Sequence, residues 1–308
     1  MNYKYQPEGR LIGTDNNTLY TASLHGLENA MIRGEIVEAV AHRCTSDMTL
    51  EFDLGGCVGI IKKEEISIGD EIKDISVITR VGKPVCFKVQ NIIYRGSSKP
   101  VAVLSRREAQ TECMLNYLYD LIPGDVIPAR VTHLEHFGAF VDIGCGIVSL
   151  LPIDAISVSR ISHPSDRFEI GMYINIIIKS VDADCKRIYV SHKELLGTWE
   201  ENAGLFKAGQ TVAGIVRSIE DYGIFVELTP NLAGLAELRD GVEVGKCASV
   251  YIKNIYPDRM KIKLVLIDVN DTRMERNLTD YYMNKGTHIE NWRYSPECCS
   301  RVIESCFV

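Results

Sequence analysis

The sequence predicts an all-β chain: three tandem five-stranded barrels joined by short helices, followed by a helical C-terminal tail. Three observations predict it. Short alternating strands, parted by glycine-containing turns, run from residue 34 to about residue 268. The stretch His136-Phe137-Gly138-Ala139-Phe140-Val141-Asp142-Ile143 returns 85 residues later as Asp221-Tyr222-Gly223-Ile224-Phe225-Val226-Glu227-Leu228. A helix-capping sequence that follows a strand, Ser105-Arg106-Arg107-Glu108, returns 86 residues on as Ser191-His192-Lys193-Glu194.

Taken in order, residues 1–28 lack a clear period and read as an extended or partly disordered leader, with a short element around Leu24–Met31. Residues 29–108 hold the first barrel. Its strands are Ile36–Val40, Met48–Leu54, Val58–Ile61, Glu71–Thr79, Val85–Tyr94 and Val101–Leu104. Residues 109–121 form a linker helix whose cap is Ser105. Its apolar positions are Ala109, Met114, Leu115, Leu118 and Leu121, and Pro123-Gly124 stops it. Residues 122–193 are the second barrel, with a long irregular stretch from Ser157 to Phe168 and a turn at Asp182-Ala183-Asp184. Residues 194–204 make a second linker helix with Ser191 as its cap. Residues 205–268 are the third barrel. Gly209 answers Gly124 and Val216 answers Val131 at the 85-residue spacing; beyond the middle loop the spacing drops to 74, where Gly245 answers Gly171 and Ile262 answers Ile188. Constant strand spacing with one shortened loop means a shared scaffold. Residues 269–308 form the tail, capped by Thr272-Arg273-Met274-Glu275. It ends in Asn291-Trp292-Arg293-Tyr294-Ser295-Pro296, read as a strap over the last barrel in preference to a docking motif.

Composition bounds the function. The 308 residues are 46% hydrophobic and 24% charged, as in ordinary globular chains. No apolar run is long enough to cross a bilayer and Met1–Arg10 is polar, so a cytoplasmic protein is expected. Ten scattered cysteines without a Cys-x-x-Cys pair read as reduced thiols rather than a zinc site. A formal charge of −7 argues against clamping duplex DNA through many phosphates, while leaving room for a binder that works by stacking.

Phe137 and Phe140, and Tyr222 and Phe225, flank a glycine at the head of a strand. The glycine lets the backbone bend, so that two rings three residues apart reach one face. Exposed side by side, such rings form a platform for flat molecules such as nucleic-acid bases. A single motif of this kind reads at least as well as core; its recurrence favours exposure. No phosphate-binding Gly-x-x-x-x-Gly-Lys-Ser/Thr loop, His-Glu-x-x-His or Gly-x-Ser-x-Gly elbow is present, so neither an enzyme, a cofactor nor a metal site is expected. Asp182 and Asp184 read as a solvated turn. His163 reads as a loop-shaping residue. His133, His136, Arg160 and Arg167 are open between a groove role and plain solvation.

The pattern Gly124, Val131, Leu134, Phe137-Gly138, Phe140-Val141-Asp142, with Ser162-His163-Pro164-Ser165-Asp166, Phe168, Gly171 and Arg187-Ile188-Tyr189-Val190-Ser191-His192-Lys193, resembles the RNA-binding S1 domain of bacterial ribosomal protein S1. The third repeat resembles it well. The first, through Gly82-Lys83-Pro84-Val85 and Val103-Leu104-Ser105-Arg106-Arg107, resembles a divergent member. The resemblance covers about residues 30–268 and implies OB-fold barrels. It also implies an RNA surface of the two rings, a nearby His, an Asp and a basic residue. It assigns Phe137, Phe140, Asp182 and Arg187 in the second repeat, and Tyr222, Phe225 and Lys261 in the third, where the Asp is displaced to Asp258. Pro152 and Glu237 stand where the family's His belongs; His133 is a further candidate beside the motif. The first repeat has Met48 and Glu51 near where the rings belong. The implied partners are single-stranded messenger RNA and the 30S ribosomal subunit, the latter through the first domain. No membrane and no small-molecule substrate are implied. The alternative is a protein-interaction adaptor with incidental RNA contact.

Overall fold

The structure is a computed structural model, and it describes residues 4–69, 72–94, 96, 98–182, 187–271 and 278–307. The chain divides into two compact units: Met1–Leu121 with Pro128–Arg130 and Asp142–Val148, and Ile122–Ile127 with Val131–Val141 and Ser149–Val308.

In the first unit two helices precede the barrel, α1 (Asp15–Thr21) and α2 (Leu24–Arg33), capped by the side chains of Thr14 and Ser23. The expected irregular leader is thus largely helical. Tyr5, Glu8 and Asn17 are buried, and Asn17 bonds both backbone groups of Glu38, which pins α1 to the first strand. The barrel follows as β1 (Val37–Val40), β2 (Arg43–Cys44), β3 (Leu50–Leu54), β4 (Cys57–Ile61), the short helix α3 (Asp74–Ile78), β5 (Pro84–Ile93) and β6 (Val101–Ser105). The order is β1-β5-β6-β4-β3-β2, with β4 and β6 parallel. β1 and β2 are two halves of one run parted at Ala41-His42, so the ends of the order belong to one strand and the sheet is a five-stranded barrel. Leu50, Phe52 and Leu54 alternate inward along β3, and the Phe52 and Phe87 rings meet inside at 5.4 Å.

Two expectations fail here. Asp74–Ile78 is helical, not a strand: its apolar residues Ile75, Val77 and Ile78 do not all belong to one face, and only Val77 enters the core. Met48 stands at positive φ in a turn, so β3 begins two residues later than expected. Helix α4 (Arg106–Asn116) is capped by Ser105 Oγ, which accepts from the Glu108 amide at 2.9 Å, as expected. It ends at Asn116 rather than Leu121, and Leu115 faces solvent while Arg106 is buried.

The second barrel consists of β7 (Val126–Glu135), β8 (Gly138–Asp142), β9 (Val148–Pro152), β10 (Tyr173–Asp182) and β11 (Arg187–Ser191), in the order β11-β10-β7-β8-β9. Ser149 Oγ donates to the Ile188 carbonyl at 2.6 Å, joining the two ends of that order. After helix α5 (Trp199–Ala203), the third barrel is closed: β12 (Thr211–Glu220), β13 (Gly223–Thr229), β14 (Leu232–Ala236), β15 (Cys247–Tyr256) and β16 (Lys261–Asn270), ordered β12-β13-β14-β16-β15 with β14 and β16 parallel. All three barrels thus share one strand order, which is the OB topology.

Ser191 is not the N-cap of the second linker. Its hydroxyl donates to Glu194 at 2.5 Å, and α5 starts eight residues later, where Thr198 and Glu201 form the capping box. The expected cap at Thr272–Glu275 lies outside the described residues, as does the turn through Asp184. Among the described residues the tail has one 3₁₀ turn, Leu278–Tyr281, and a two-stranded ladder of β17 (Asn291–Arg293) and β18 (Glu304–Cys306). It is a strap, and it covers more than the last barrel. Met283 N bonds the Leu195 carbonyl, Tyr294 Oη bonds the Asn231 carbonyl, and Trp292 and Tyr294 are buried.

Candidate nucleic-acid interface

The two ring motifs fold alike. Phe137 ends the turn before β8 and Tyr222 the turn before β13; Phe140 and Phe225 sit on the outward faces of those strands. The glycine between the rings is required by close packing of backbone on backbone. A methyl group at Gly138 would lie 2.4 Å from the Leu151 carbonyl oxygen, and one at Gly223, with φ +151°, 2.6 Å from that of Ala236. The register shifts lie elsewhere, between Val216 and Ser218 on β12 and between Glu227 and Thr229 farther along β13.

Phe137 is 56% exposed and Tyr222 69%, while Phe140 and Phe225 are half-buried. In each pair the centroids are 6.0 Å apart and the planes nearly perpendicular, at 87° and 89°. The rings therefore meet edge to face, the arrangement their quadrupoles favour. What each pair offers is one upright ring standing over another.

Of the remaining candidates, His133 is the one with a ring contact to a pair. His133 is exposed, with its ring 6.1 Å from that of Phe140 and its Nε2 2.7 Å from Glu135 Oε1. Asp182 and Arg187 face each other across the β10–β11 end; Arg187 is exposed and Asp182 half-buried. Lys261 opens β16 opposite Tyr256, and Asp258 pairs with its neighbour Arg259. A cation that sequence reasoning missed is nearer the ring. Along one row of the third barrel Phe225 pairs with Leu235, and Leu235 with Lys263. Lys263 is thus two strands from Phe225, about 10 Å. Its period-two relation to Lys261 was the available signal. Lys263 Nζ lies 3.6 Å from Glu237 Oε1, so the acid at the family's His position partly neutralises it.

Arg167 is not a solvated loop residue. Its guanidinium is buried and donates to Glu227 at 2.5 Å, and Arg217 bonds both Glu227 and Asp166. The long loop of the second barrel is thereby fastened to β12 and β13 of the third. Burial lowers the Arg167 pKa, opposed by the Glu227 charge. His163 does shape its loop, capping the 3₁₀ turn Pro164–Asp166 with its ring nitrogen while Asp166 returns the bond. Arg160 stays exposed. Among the described residues no cluster of His, Cys, Asp and Glu has metal-binding geometry, and no helix is long and apolar enough to cross a membrane.

Residues 120–193 match the family model of the S1 RNA binding domain. The small ribosomal subunit protein bS1 homolog of Bacillus cereus is 32% identical over 187 residues, 59% of this chain and 47% of that protein. Small ribosomal subunit protein bS1 of Staphylococcus saprophyticus is 31% identical over 211 residues, 63% of this chain and 52% of that one. A multidomain protein with nucleic acid binding domains from Streptococcus pneumoniae aligns at a TM-score of 0.25 with 16% identity, over 76% of this chain and 73% of that chain; at that score the likeness adds nothing to the topology already described. The chain spans about half the length of the curated relatives it matches. The second barrel thus matches the S1 RNA binding domain, and the chain is similar over about three fifths of its length to small ribosomal subunit proteins bS1.

Proposed function

We propose that the protein binds single-stranded RNA, including messenger RNA, and acts in translation at the small ribosomal subunit. The observation that carries this is the twofold recurrence of one geometry: a mostly exposed ring, Phe137 or Tyr222, upright on a half-buried one, Phe140 or Phe225. Unpaired RNA presents base faces that stack on such rings without sequence readout, each worth about 1–3 kcal/mol by truncation. Arg187 and Lys261 supply phosphate contacts, and His133, Asp182 and the displaced Asp258 border the surface. The relatives are named as ribosomal proteins, which agrees with a binding role and not a catalytic one.

We assign RNA binding to residues 122–193 and 205–268, and docking on the 30S subunit to residues 29–108. The first barrel lacks a ring pair but exposes Ile68, Ile75, Ile78 and Val81 around α3. Removing residues 1–108 would be a poor test, since Asp142–Val148 packs in the same compact unit. Ile75→Glu with Ile78→Glu should instead reduce co-sedimentation of the full chain with 30S subunits; an unchanged pellet would refute the docking assignment.

The pairing of Lys263 with Glu237 and of His133 with Glu135 favours a second reading, a protein-interaction adaptor that touches RNA incidentally. Affinity of the Phe137→Ala, Phe225→Ala double variant for an unstructured oligonucleotide separates the two. A loss of tenfold or more is expected from two lost stacks; an unchanged affinity would leave the adaptor.

A further inference from the structure

The fifth strands of the three barrels share one register at their far ends. Ser105 pairs with Lys88, Ser191 with Ile177 and Val265 with Tyr251, each pair one residue before a register shift at Val89–Asn91, Ile178–Ser180 and Ile252–Asn254. Three stretches are therefore equivalent: Ser105-Arg106-Arg107, Ser191-His192-Lys193 and Val265-Leu266-Ile267. In the first two barrels the stretch is polar and covered. The chain turns back over it, as α4 in the first, where Glu112 bonds Lys88, and as a 3₁₀ turn, Lys193–Leu196, in the second, where Glu194 bonds Ser191. Ser105, Arg106, Ser191 and His192 are all buried. Arg106 donates to the carbonyls of Ile66 and Gly146 at 2.9 and 3.1 Å. His192 donates to that of Ile156 at 2.8 Å, and the Lys193 carbonyl accepts from Asn231 at 2.8 Å. Gly146 and Asn231 each lie in the turn between the second and third strands of the barrel that follows, so each base is closed by such a turn.

The third barrel departs from this. Its three residues are aliphatic, and β16 runs on to Asn270 instead of turning back. Val265 is 43% exposed and Ile267 49%, and Tyr251 is exposed where Ile177 is sealed. Arg239 donates to the Ile267 carbonyl at 2.8 Å, which brings the loop carrying the exposed Leu238 against the same strand. At the 85-residue spacing that loop has Gly241 in place of the buried Ile156. Among the described residues no helix covers this face.

We propose that the base of the third barrel is a self-association surface, covered by the same base of a second copy of the chain across a twofold axis. The exchange of residues decides the occupant. A barrel turn like those at Gly146 and Asn231 brings polar backbone and amide groups, which Val265, Leu266 and Ile267 would bury without partners, at a cost for each. Aliphatic surface is best matched by aliphatic surface, and a second copy presents Leu238, Tyr251, Val265 and Ile267 again. The rim mixes signs: Arg239 and Asp240 lie in the loop, and Lys246 pairs with Glu243 and Asp271 at its end. Such a rim does not repel its own copy, as a twofold interface requires. The proposal is independent of the RNA reading.

The test is the mass of the full chain in sedimentation equilibrium over roughly 1–100 μM, the range of a modest interface. Wild type should rise from the mass of one chain to that of two. Val265→Ser with Ile267→Lys, which restores the second barrel's residues at those positions, should weaken association about tenfold or more. Leu238→Asp, on the loop, should act in the same direction. Val302→Ser, at an exposed aliphatic of the tail, should leave association unchanged. The altered side chains lie at the surface, so melting temperatures at the lowest concentration should match wild type. A wild type that stays at the mass of one chain throughout overturns the proposal, whether the face then proves to hold another protein or nothing. A dimer that survives both the Val265, Ile267 exchange and Leu238→Asp overturns it as well.

Discussion

Glu8 and Glu38 share one buried polar cluster in the first unit, yet they hold protons oppositely. Burial raises the pKa of each. At Glu8 the Arg106 guanidinium, bonded at 2.6 and 3.1 Å, together with Arg80, overcomes burial and leaves the pKa lowered. Among the described residues no cation is paired with Glu38 and its Oε1 has no hydrogen-bond partner; burial and the Glu8 charge push it up to about 8 against the amides of Gly9 and Leu11. A carboxyl that binds its proton more tightly folded than unfolded stabilises below the ordinary carboxylate range, and that stability is lost as pH rises through about 8. Urea midpoints should therefore fall for wild type between pH 5 and pH 9, and Glu38→Gln should fall less; parallel declines would refute the assignment. Arg106→Met removes the main cation of a buried carboxylate and leaves Glu8 with Arg80 alone, and should cost about 3 kcal/mol in urea unfolding. Sequence offered no signal for the pair: Arg106 reads only as part of a capping sequence and Glu8 as leader, because burial of an ion pair depends on contacts 98 residues apart.

At the scale of elements, the strap is held by a buried histidine. His192 Nδ1 lies 2.8 Å from the Ile156 carbonyl, so it carries the proton; Nε2 accepts from Tyr282 Oη at 3.0 Å, and Tyr282 accepts from the Asn175 amide. Burial depresses His192 to about 4. The sign is opposite to that of Glu38: the neutral ring stabilises above the unfolded value near 6.5, and the contribution, about 3 kcal/mol for the full shift, is lost as pH falls toward 4. Acid should thus release the strap before the barrels melt, seen as faster proteolysis near residues 278–307 at pH 4.5 than at pH 7. Tyr282→Phe should cost about 1–3 kcal/mol and release it at neutral pH, by leaving His192 without its donor. A strap equally protected at both pH values would refute this. The barrels themselves were legible, because alternation and the 85-residue recurrence report faces and register directly. The linkers were not: Ser191-x-x-Glu194 and Thr198-x-x-Glu201 are both capping sequences, and only packing decides that Ser191 serves Glu194 inside the fold. The α3 segment was misread for the same reason, since five residues carry too little period to choose helix or strand.

At the scale of the molecule, the acid that ends each ring motif bears on how a chain of formal charge −7 would hold the RNA proposed for it. Asp142 and Glu227 occupy equivalent positions, and both are buried. Asp142 receives the amides of Glu8, Gly144 and Gly146, while Glu227 gathers Arg167 and Arg217 and fastens the second barrel to the third. The sequence showed these acids only as part of a pattern; their partners come from distant segments, so their role was not readable from spacing. If RNA spans both barrels, tying them together lets the second contact form at high effective concentration without added charge. Affinity should accordingly come from rings more than from phosphates. The candidate cations are Arg187, Lys261 and Lys263, and at about 0.7 released counterions each the slope of log affinity on log salt should be no steeper than about −2. A slope matching six or more neutralised phosphates would mean that charge, and not stacking, supplies the binding. A Glu227→Gln variant sharpens the point. It should weaken binding of an oligonucleotide long enough for both barrels, leave one that fills a single barrel unaffected, and keep the salt slope of each, because it alters how the rings are held together and not what they touch.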